Sequence, residues 1–424
     1  MNIFSFLWIG AVLVVFPLGY QYILSLLIIS SIFQYSALIS NGTTSIPIFY
    51  FVEIILILRF LLPYKKSNTI AINSNMFLYA IFLIIYFWIS SFFLANLFSG
   101  VKVYSPSLSF EANFVTGGVG YQWSSSNINQ LILISLNILT CFVIYQRRHV
   151  INSSFALKAL VSTAVIFSLY SLIWLFYRPA AEAIQNVMYN SSHHANAIFE
   201  NRLSGTFGEP SFAGVFIGSL IVPFFIMRGI TLKLLSVFFL FLLLMNGSSS
   251  GFITFLASIV ILFAFYFNSN VYIKTLSMMA FIFFVVIVFL LTEDYIYAYM
   301  ASKSESTSGI VRAASNFSAV NIMIETLGLG LGIGSARISS LILSMLVNFG
   351  IPGVILLFLY INKSIGGVIN CLSSKDNHDG KKIFSMILLS VFVGSCSANP
   401  DYSYGFMWSL IFILITSKKQ SYNE

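Results

Sequence analysis

Apolar runs of bilayer-spanning length recur from one end of this sequence to the other, separated by short clusters of Lys, Arg, Asn, Ser, Gly and Pro. A hydrocarbon layer about 30 Å thick asks for roughly 17 to 25 apolar residues per helix. Such runs fall near 3–19, 21–39, 46–62, 76–98, 127–146, 155–177, 211–227, 232–246, 252–268, 272–292, 340–361, 383–398 and 404–417. They lack the period-two alternation of a membrane barrel strand. Only 8% of the residues are charged, against about a quarter in soluble domains, which excludes an ordinary soluble fold. The expectation is an all-α, polytopic transmembrane helical bundle of about 12 to 14 spans, with 1–424 as one integral membrane domain. Residues 3–39 offer only Pro17 and Gly19 as a break, so the parity of the N-terminal spans stays open. The start, MNIFSFLWIG, has no basic stretch of the kind that opens a cleaved signal peptide.

The net charge of +8 is a topology signal, because the basic residues cluster in alternate connections. Arg59, Lys65-Lys66, Arg147-Arg148 with Lys158, Arg228 with Lys233, Lys274, the Lys363–Lys382 group and Lys418-Lys419 share one side. By the positive-inside rule that side is cytoplasmic, which puts the C-terminus inside. The other side receives only Lys102, Arg178, Arg202, Lys303, Arg312 and Arg337. Nucleic acid is not an expected partner; membrane lipid is. The outer loops 99–126, 178–210 and 293–339 are long, and structureless loops beyond about 15 residues are usually functional. Chemistry is therefore expected on those loops and the helix ends beside them.

Loop 178–210 holds Arg178, Glu182, His193, His194, Glu200, Arg202 and Glu209, with a short helix expected over 181–188. The stretch RLSGTFGEPSF (202–212) places Pro210 in the first turn of a span and Glu209 at its entrance, where a helix dipole favours negative charge. His193-His194 invites a metal reading, yet adjacent histidines diverge and no partner sits at ligand spacing. Substrate contact is the functional alternative for that pair. The three cysteines, Cys141, Cys371 and Cys396, have neither metal nor disulfide spacing. No metal and no cofactor are expected.

Loop 293–339 carries a helical pattern from Arg312 to Glu325, then LGLGLGIG with Gly328, Gly330, Gly332 and Gly334, then Arg337. The glycine spacing is not that of a dinucleotide turn and reads as backbone folded closely onto the bundle. Guanidinium groups grip phosphate oxygens through paired, charge-assisted hydrogen bonds, so Arg202, Arg312 and Arg337 are candidates for one pyrophosphate. Asn399-Pro-Asp-Tyr-Ser-Tyr404 forms an outer turn whose Asp401, Tyr402 and Tyr404 suit a sugar or, equally, an aromatic belt. Glu53 stands alone as an acid deep in a span, about 240° around the helix from Arg59.

An Arg followed by FGEPSFAG opening a span resembles the bacterial O-antigen polymerase (Wzy) family. NGSSSG at 246–251, the Arg312-to-Glu325 spacing, LGLGLGIG and the LVNFGIPG of 346–353 fit the same group. The similarity covers roughly 200–400. It implies a metal-independent inner-membrane glycosyltransferase of the GT-C type, acting at the periplasmic face in lipopolysaccharide biosynthesis. Donor and acceptor would be glycans carried on undecaprenyl pyrophosphate, with a chain-length regulator protein as a further possible partner. The related O-antigen ligases, which move glycan to lipid A core, usually carry His-Asn where this sequence reads ARISSLILS from Ala336, which favours polymerase.

The residues fit that chemistry. A pyrophosphate-linked donor is already activated, so the protein must neutralise leaving-group charge and orient a hydroxyl. Arg178, Arg202, Arg312 and Arg337 are the candidates for the first task. Glu209, with Glu325 and Asp401 behind it, is the candidate general base. A lipid-oligosaccharide flippase is the competing class, although transporters tend to place their charges at mid-membrane.

Overall fold

The computed structural model describes residues 2–41, 45–62, 73–191, 202–266, 307–372 and 380–417, with Thr275 and Met279 as isolated positions. The described chain is mostly helical. Among the described residues five helices are long and apolar enough to cross a membrane: α4 (Ser74–Leu97), α6 (Ser125–Arg147), α7 (Ser153–Phe176), α13 (Leu341–Ile365) and α15 (Gly380–Ala398). Shorter apolar helices fill the bundle: α1 (Ile3–Val15), α2 (Tyr20–Ser30), α3 (Ile48–Leu61), α9 (Pro210–Ile226), α10 (Ile230–Asn246), α11 (Ser249–Ile261) and α16 (Gly405–Thr416), and a single short turn, α14 (Val368–Leu372), precedes α15. The run expected at 272–292 lies outside the described residues.

Helices α1 and α2 form a hairpin of short helices, 13 and 11 residues long. Gly19, at φ +115°, reverses the chain after α1. There Tyr20 donates its hydroxyl to Arg59 O at 3.0 Å, and the Arg59 and Arg147 guanidinium groups stack on its ring. At the other end Asn2 Nδ2 donates to Val187 O at 2.5 Å, and Ser5 Oγ donates to Ala37 O at 3.1 Å. The bundle thus has a basic end, with Arg59 and Arg147, and an opposite end where residues 2–5, 37 and 187 meet.

One expectation needs correction here: the run 21–39 is not one helix. The described chain is mostly helical, as expected, with a few short strands beside the helices. Ser30 and Ser31 turn their hydroxyls back onto Leu27 O and Ile28 O, and α2 stops. Hydroxyl side chains that bond their own backbone compete with helix continuation. The chain then forms β1 (Ala37–Ser40), paired antiparallel with β2 (Ser45–Pro47). A second ribbon, β3 (Lys102–Val103) with β4 (Val119–Gly120), and α5 (Phe110–Thr116) organise the 99–126 loop.

Helices α9 and α16 occupy the centre. Every residue from Pro210 to Phe224, and from Phe406 to Thr416, is buried. A helix apolar around its whole circumference belongs inside, which is how both sequences read. α9 meets α11 so closely that a Cβ on Gly218 would lie 2.4 Å from Gly251 O.

The alternating glycines have a structural cause. α13 is broken at Gly350, which sits at φ +68° two residues before Pro352. The glycine loop splints the break: Leu331 N–H donates to Val347 O at 2.8 Å and Ile351 N–H to Gly328 O at 2.9 Å. Gly328, Gly330, Gly332 and Gly334 all have positive φ. A Cβ on Gly330 would lie 2.7 Å from Gly350 N, one on Gly332 2.8 Å from Ser91 Cα, and one on Gly334 2.7 Å from Ser126 O. The loop is thus pressed in turn against α13, α4 and α6. It follows α12 (Thr307–Glu325), which begins ahead of the expected Arg312.

Candidate functional site

Glu209 is the N-cap residue of the central helix α9, with extended backbone (φ −129°, ψ 143°), as Pro210 requires of its predecessor. The mouth of this helix opens at the end of the bundle opposite Arg59. Tyr35 donates its hydroxyl to Glu209 Oε1 at 3.1 Å, and Ser211 Oγ donates to Oε2 at 3.3 Å. Both oxygens are therefore held. The Tyr35 ring lies flat on the chain at Gly208, where a Cβ would sit 1.6 Å from ring carbons, so no larger residue fits while the ring stays in place. Burial, reinforced by the neighbouring Glu209 carboxylate, raises the Tyr35 hydroxyl well above its usual range, while the charge of Arg337 acts in the opposite sense. Tyr35 thus remains a proton-bearing donor.

The loop leading to Glu209 is fixed from two sides. Tyr189, just beyond α8 (Arg178–Met188), donates to Gly205 O at 2.9 Å and also reaches Phe207 O. Buried Asn246 donates to Leu203 O at 2.5 Å and to Pro210 O at 2.9 Å. Asn246 is the last residue of α10, and Gly247 follows at φ +58° as its left-handed cap. This gives the NGSSSG stretch its role: it holds the two ends of the Arg202–Phe212 segment. Arg202 closes the arrangement, donating from Nε to Asn246 O at 3.2 Å and from Nη2 to Gly247 O at 3.4 Å. A cation on the last carbonyls of a helix complements its dipole.

The turn after α15 joins this loop to the glycine loop. Tyr404 donates to Phe212 O at 3.4 Å and packs its ring against Phe212 and Phe207. Tyr402 accepts from Gly334 N–H at 3.2 Å and packs edge-on to Phe349. Both phenols are buried and bonded to the protein, so they build the wall and do not line its rim. Asp401 Oδ1 accepts from Ser403 N–H at 2.8 Å. Desolvation pushes its carboxyl up from 3.8 to about 6, against that hydrogen bond.

Arg337 leaves the glycine loop with its N–H on Tyr104 O at 2.7 Å and its Nη1 on Leu108 O at 3.4 Å. Its charge acts on Tyr35, the residue that holds Glu209. Arg312 approaches the same segment: one turn along α12, Ser315 Oγ lies 2.7 Å from Ser339 Oγ, two residues past Arg337. Glu325, exposed at the far end of α12, is displaced from Arg312 by about 20 Å at 1.5 Å per residue. Arg178 pairs with Glu182 at 3.3 Å and stacks on Trp174, both within its own segment. His193 and His194 lie outside the described residues. Glu209, Arg337, Arg312 and the Asp401 turn are thus brought to one region; Arg202 braces it, and Glu325 and Arg178 stand apart.

Several buried polar atoms in this region have no hydrogen-bond partner among the described residues: Gln34 Oε1, Ser36 Oγ, Thr206 Oγ1 and Asn399 Nδ2. They flank Tyr35, Phe207 and Asp401 in sequence. Buried polar groups are nearly always satisfied, so each of these atoms calls for a partner beyond the described residues. Sequence reasoning passes over Tyr35 because 21–39 averages as apolar. The polar residues Ser30, Ser31, Gln34 and Ser36 are the signal that such averaging hides. Among the described residues no group of three His, Cys, Asp or Glu side chains is placed to hold a metal ion. No protein-family model matches this sequence, and no curated protein matches it.

Proposed function

We propose that this protein is a membrane glycosyltransferase of the O-antigen polymerase type, joining oligosaccharide units carried on a lipid pyrophosphate at the periplasmic face of a bacterial inner membrane. The observation that carries the reading is the convergence of Glu209, fixed by Tyr35 at the mouth of the central helix, with the cation Arg337. In the reaction a sugar hydroxyl of the acceptor attacks the anomeric carbon of the donor. The bond from that carbon to the pyrophosphate oxygen breaks, and the lipid pyrophosphate departs with the electron pair. Glu209 takes the hydroxyl proton, and Arg337 with Arg312 offsets the charge growing on the leaving group. The orphaned polar atoms around Tyr35 and Asn399 are suited to sugar hydroxyls.

The test is reconstitution of purified protein in liposomes with a chemically defined lipid-linked repeat unit. A ladder of extended products, lost in Glu209→Gln, is the expected result. Translocation between leaflets without bond formation would make the protein a flippase, and transfer only to a lipid A core acceptor a ligase.

A further inference from the structure

Glu53 lies in α3 with its side chain fully buried, and neither carboxyl oxygen has a hydrogen-bond partner among the described residues. One turn toward the Glu209 end on the same face is Tyr50, which interacts electrostatically with Glu53 and lies near Asn137 of α6. Glu53 also interacts with Cys141 of α6. Asn137, Thr140 and Cys141 share one face of that helix by their spacing of three and four residues. Asn137 Oδ1 and Thr140 Oγ1 are likewise buried and unpartnered.

Thr140 is conspicuous by contrast with its peers. Thr163, Thr254 and Thr326, also buried in helices, each donate back to the carbonyl four residues earlier, at 2.7 to 2.8 Å. Thr140 does not, which leaves its oxygen available across the α3–α6 seam.

Among the described residues no basic side chain answers Glu53. Helices α1, α2 and α16 contain no Lys, Arg or His, and the one such residue in α6 is Arg147. Arg147 stacks on Tyr20 and Phe60 at the basic end, and Arg59 stacks on Phe16 and Tyr20. The titratable groups near the seam are Tyr50, Cys141, Tyr360, which faces Cys141, and Asp401, which faces Tyr50. None of them carries positive charge. A lone carboxylate in a low-dielectric interior is strongly disfavoured, and intramembrane acids mark ion or substrate sites.

We propose that Glu53, Asn137 and Thr140 form an intramembrane site for a desolvated monovalent cation of the Na+ class. The donor set is all oxygen, as a hard cation requires, and a single positive charge answers the one carboxylate. A proton alone would neutralise Glu53 but leave most of these oxygens without a positive partner. Occupancy reaches the Glu209 end of the bundle through Tyr50, whose hydroxyl donates to Ser403 O at 2.8 Å, in the turn that carries Asp401.

The experiment is thermal unfolding of purified protein in NaCl against choline chloride at equal ionic strength, from pH 5 to 9. The expected result is a saturable rise of a few degrees in Tm with Na+, absent in Glu53→Gln and weakened in Thr140→Val. Equal Tm in both salts overturns the proposal, as does a Tm that follows pH but not Na+, or an undiminished Na+ response in Glu53→Gln. Should Glu53→Gln fail to fold, wild-type protein treated with dicyclohexylcarbodiimide decides the matter by mass spectrometry. Protection of Glu53 by Na+ but not choline supports the site; the same extent of modification in both salts, including none in either, overturns it.

Discussion

The Tyr35 hydroxyl donates to Glu209 Oε1 at 3.1 Å across 174 residues of chain. The ring reaches that position by crossing Gly208, the residue just before the carboxylate. Tyr35→Phe keeps the ring and removes the donor. Hydrogen bonds to charged groups contribute about 1.5–3 kcal/mol to stability, so Tm should fall by a few degrees, and chain extension should slow by roughly tenfold or more as the base loses its orientation. Glu209→Gln should cost more, on the order of a thousandfold. A Tyr35→Phe rate equal to wild type in the liposome assay would separate Tyr35 from the reaction.

Arg337 is a cation whose charge acts on Tyr35 of this pair. Arg337→Ala should lower kcat for polymerisation by at least a hundredfold, as expected when transition-state charge loses its partner. Arg337→Lys should recover only part of that, because an ammonium cannot grip two oxygens in parallel. Arg202→Ala should instead act on Tm, since Arg202 already serves the carbonyls of Asn246 and Gly247.

Asp401 gives a pH signature whose sign is fixed by the raised carboxyl, from 3.8 to about 6. The folded protein holds this proton more tightly than the unfolded chain. The stabilisation is therefore complete below about pH 4 and is lost as pH rises to about 6. Asp401→Asn should flatten the fall in stability between those values and raise stability at pH 7 by up to about 3 kcal/mol. Unfolding followed against pH in wild type and variant reads this directly.

Gly330→Ala tests the splint on α13. The new methyl would meet Gly350 N and Val347 O at 2.7 Å, at a φ of +76° that disfavours side chains. A loss of at least about 2 kcal/mol is expected from strain and displaced hydrogen bonds together. A Tm within a degree of wild type would show that the loop can leave α13.

Much of the helical frame is legible in the sequence because lipid tolerates little but long apolar helices, as the runs that become α4, α6, α7 and α13 show. Glu209 is legible too, since Pro210 and the apolar run after it announce a helix start. Tyr35 is not, because hydropathy averaged over 21–39 conceals a helix that ends at Ser30. The work of Arg202 is hidden for another reason: its partners are backbone carbonyls at the end of α10, which no residue pattern reports. Tyr402 and Tyr404 show the limit of composition, for phenols in an outer turn read the same whether they meet sugar or bury themselves against Gly334 and Phe212.

The central helices are also short. α16 has 12 residues and α6 has 23, or about 18 Å against about 35 Å at 1.5 Å per residue. A hydrocarbon layer about 30 Å thick exceeds the first and not the second. The Asn399–Tyr404 turn that opens α16 is itself withdrawn from the surface, with Asn399, Tyr402, Ser403 and Tyr404 all buried. For the proposed reaction, groups at this turn would be walled by protein at a depth where backbone must not meet lipid. A lipid carrier could slide its phosphates in sideways without lifting its tail out of the leaflet.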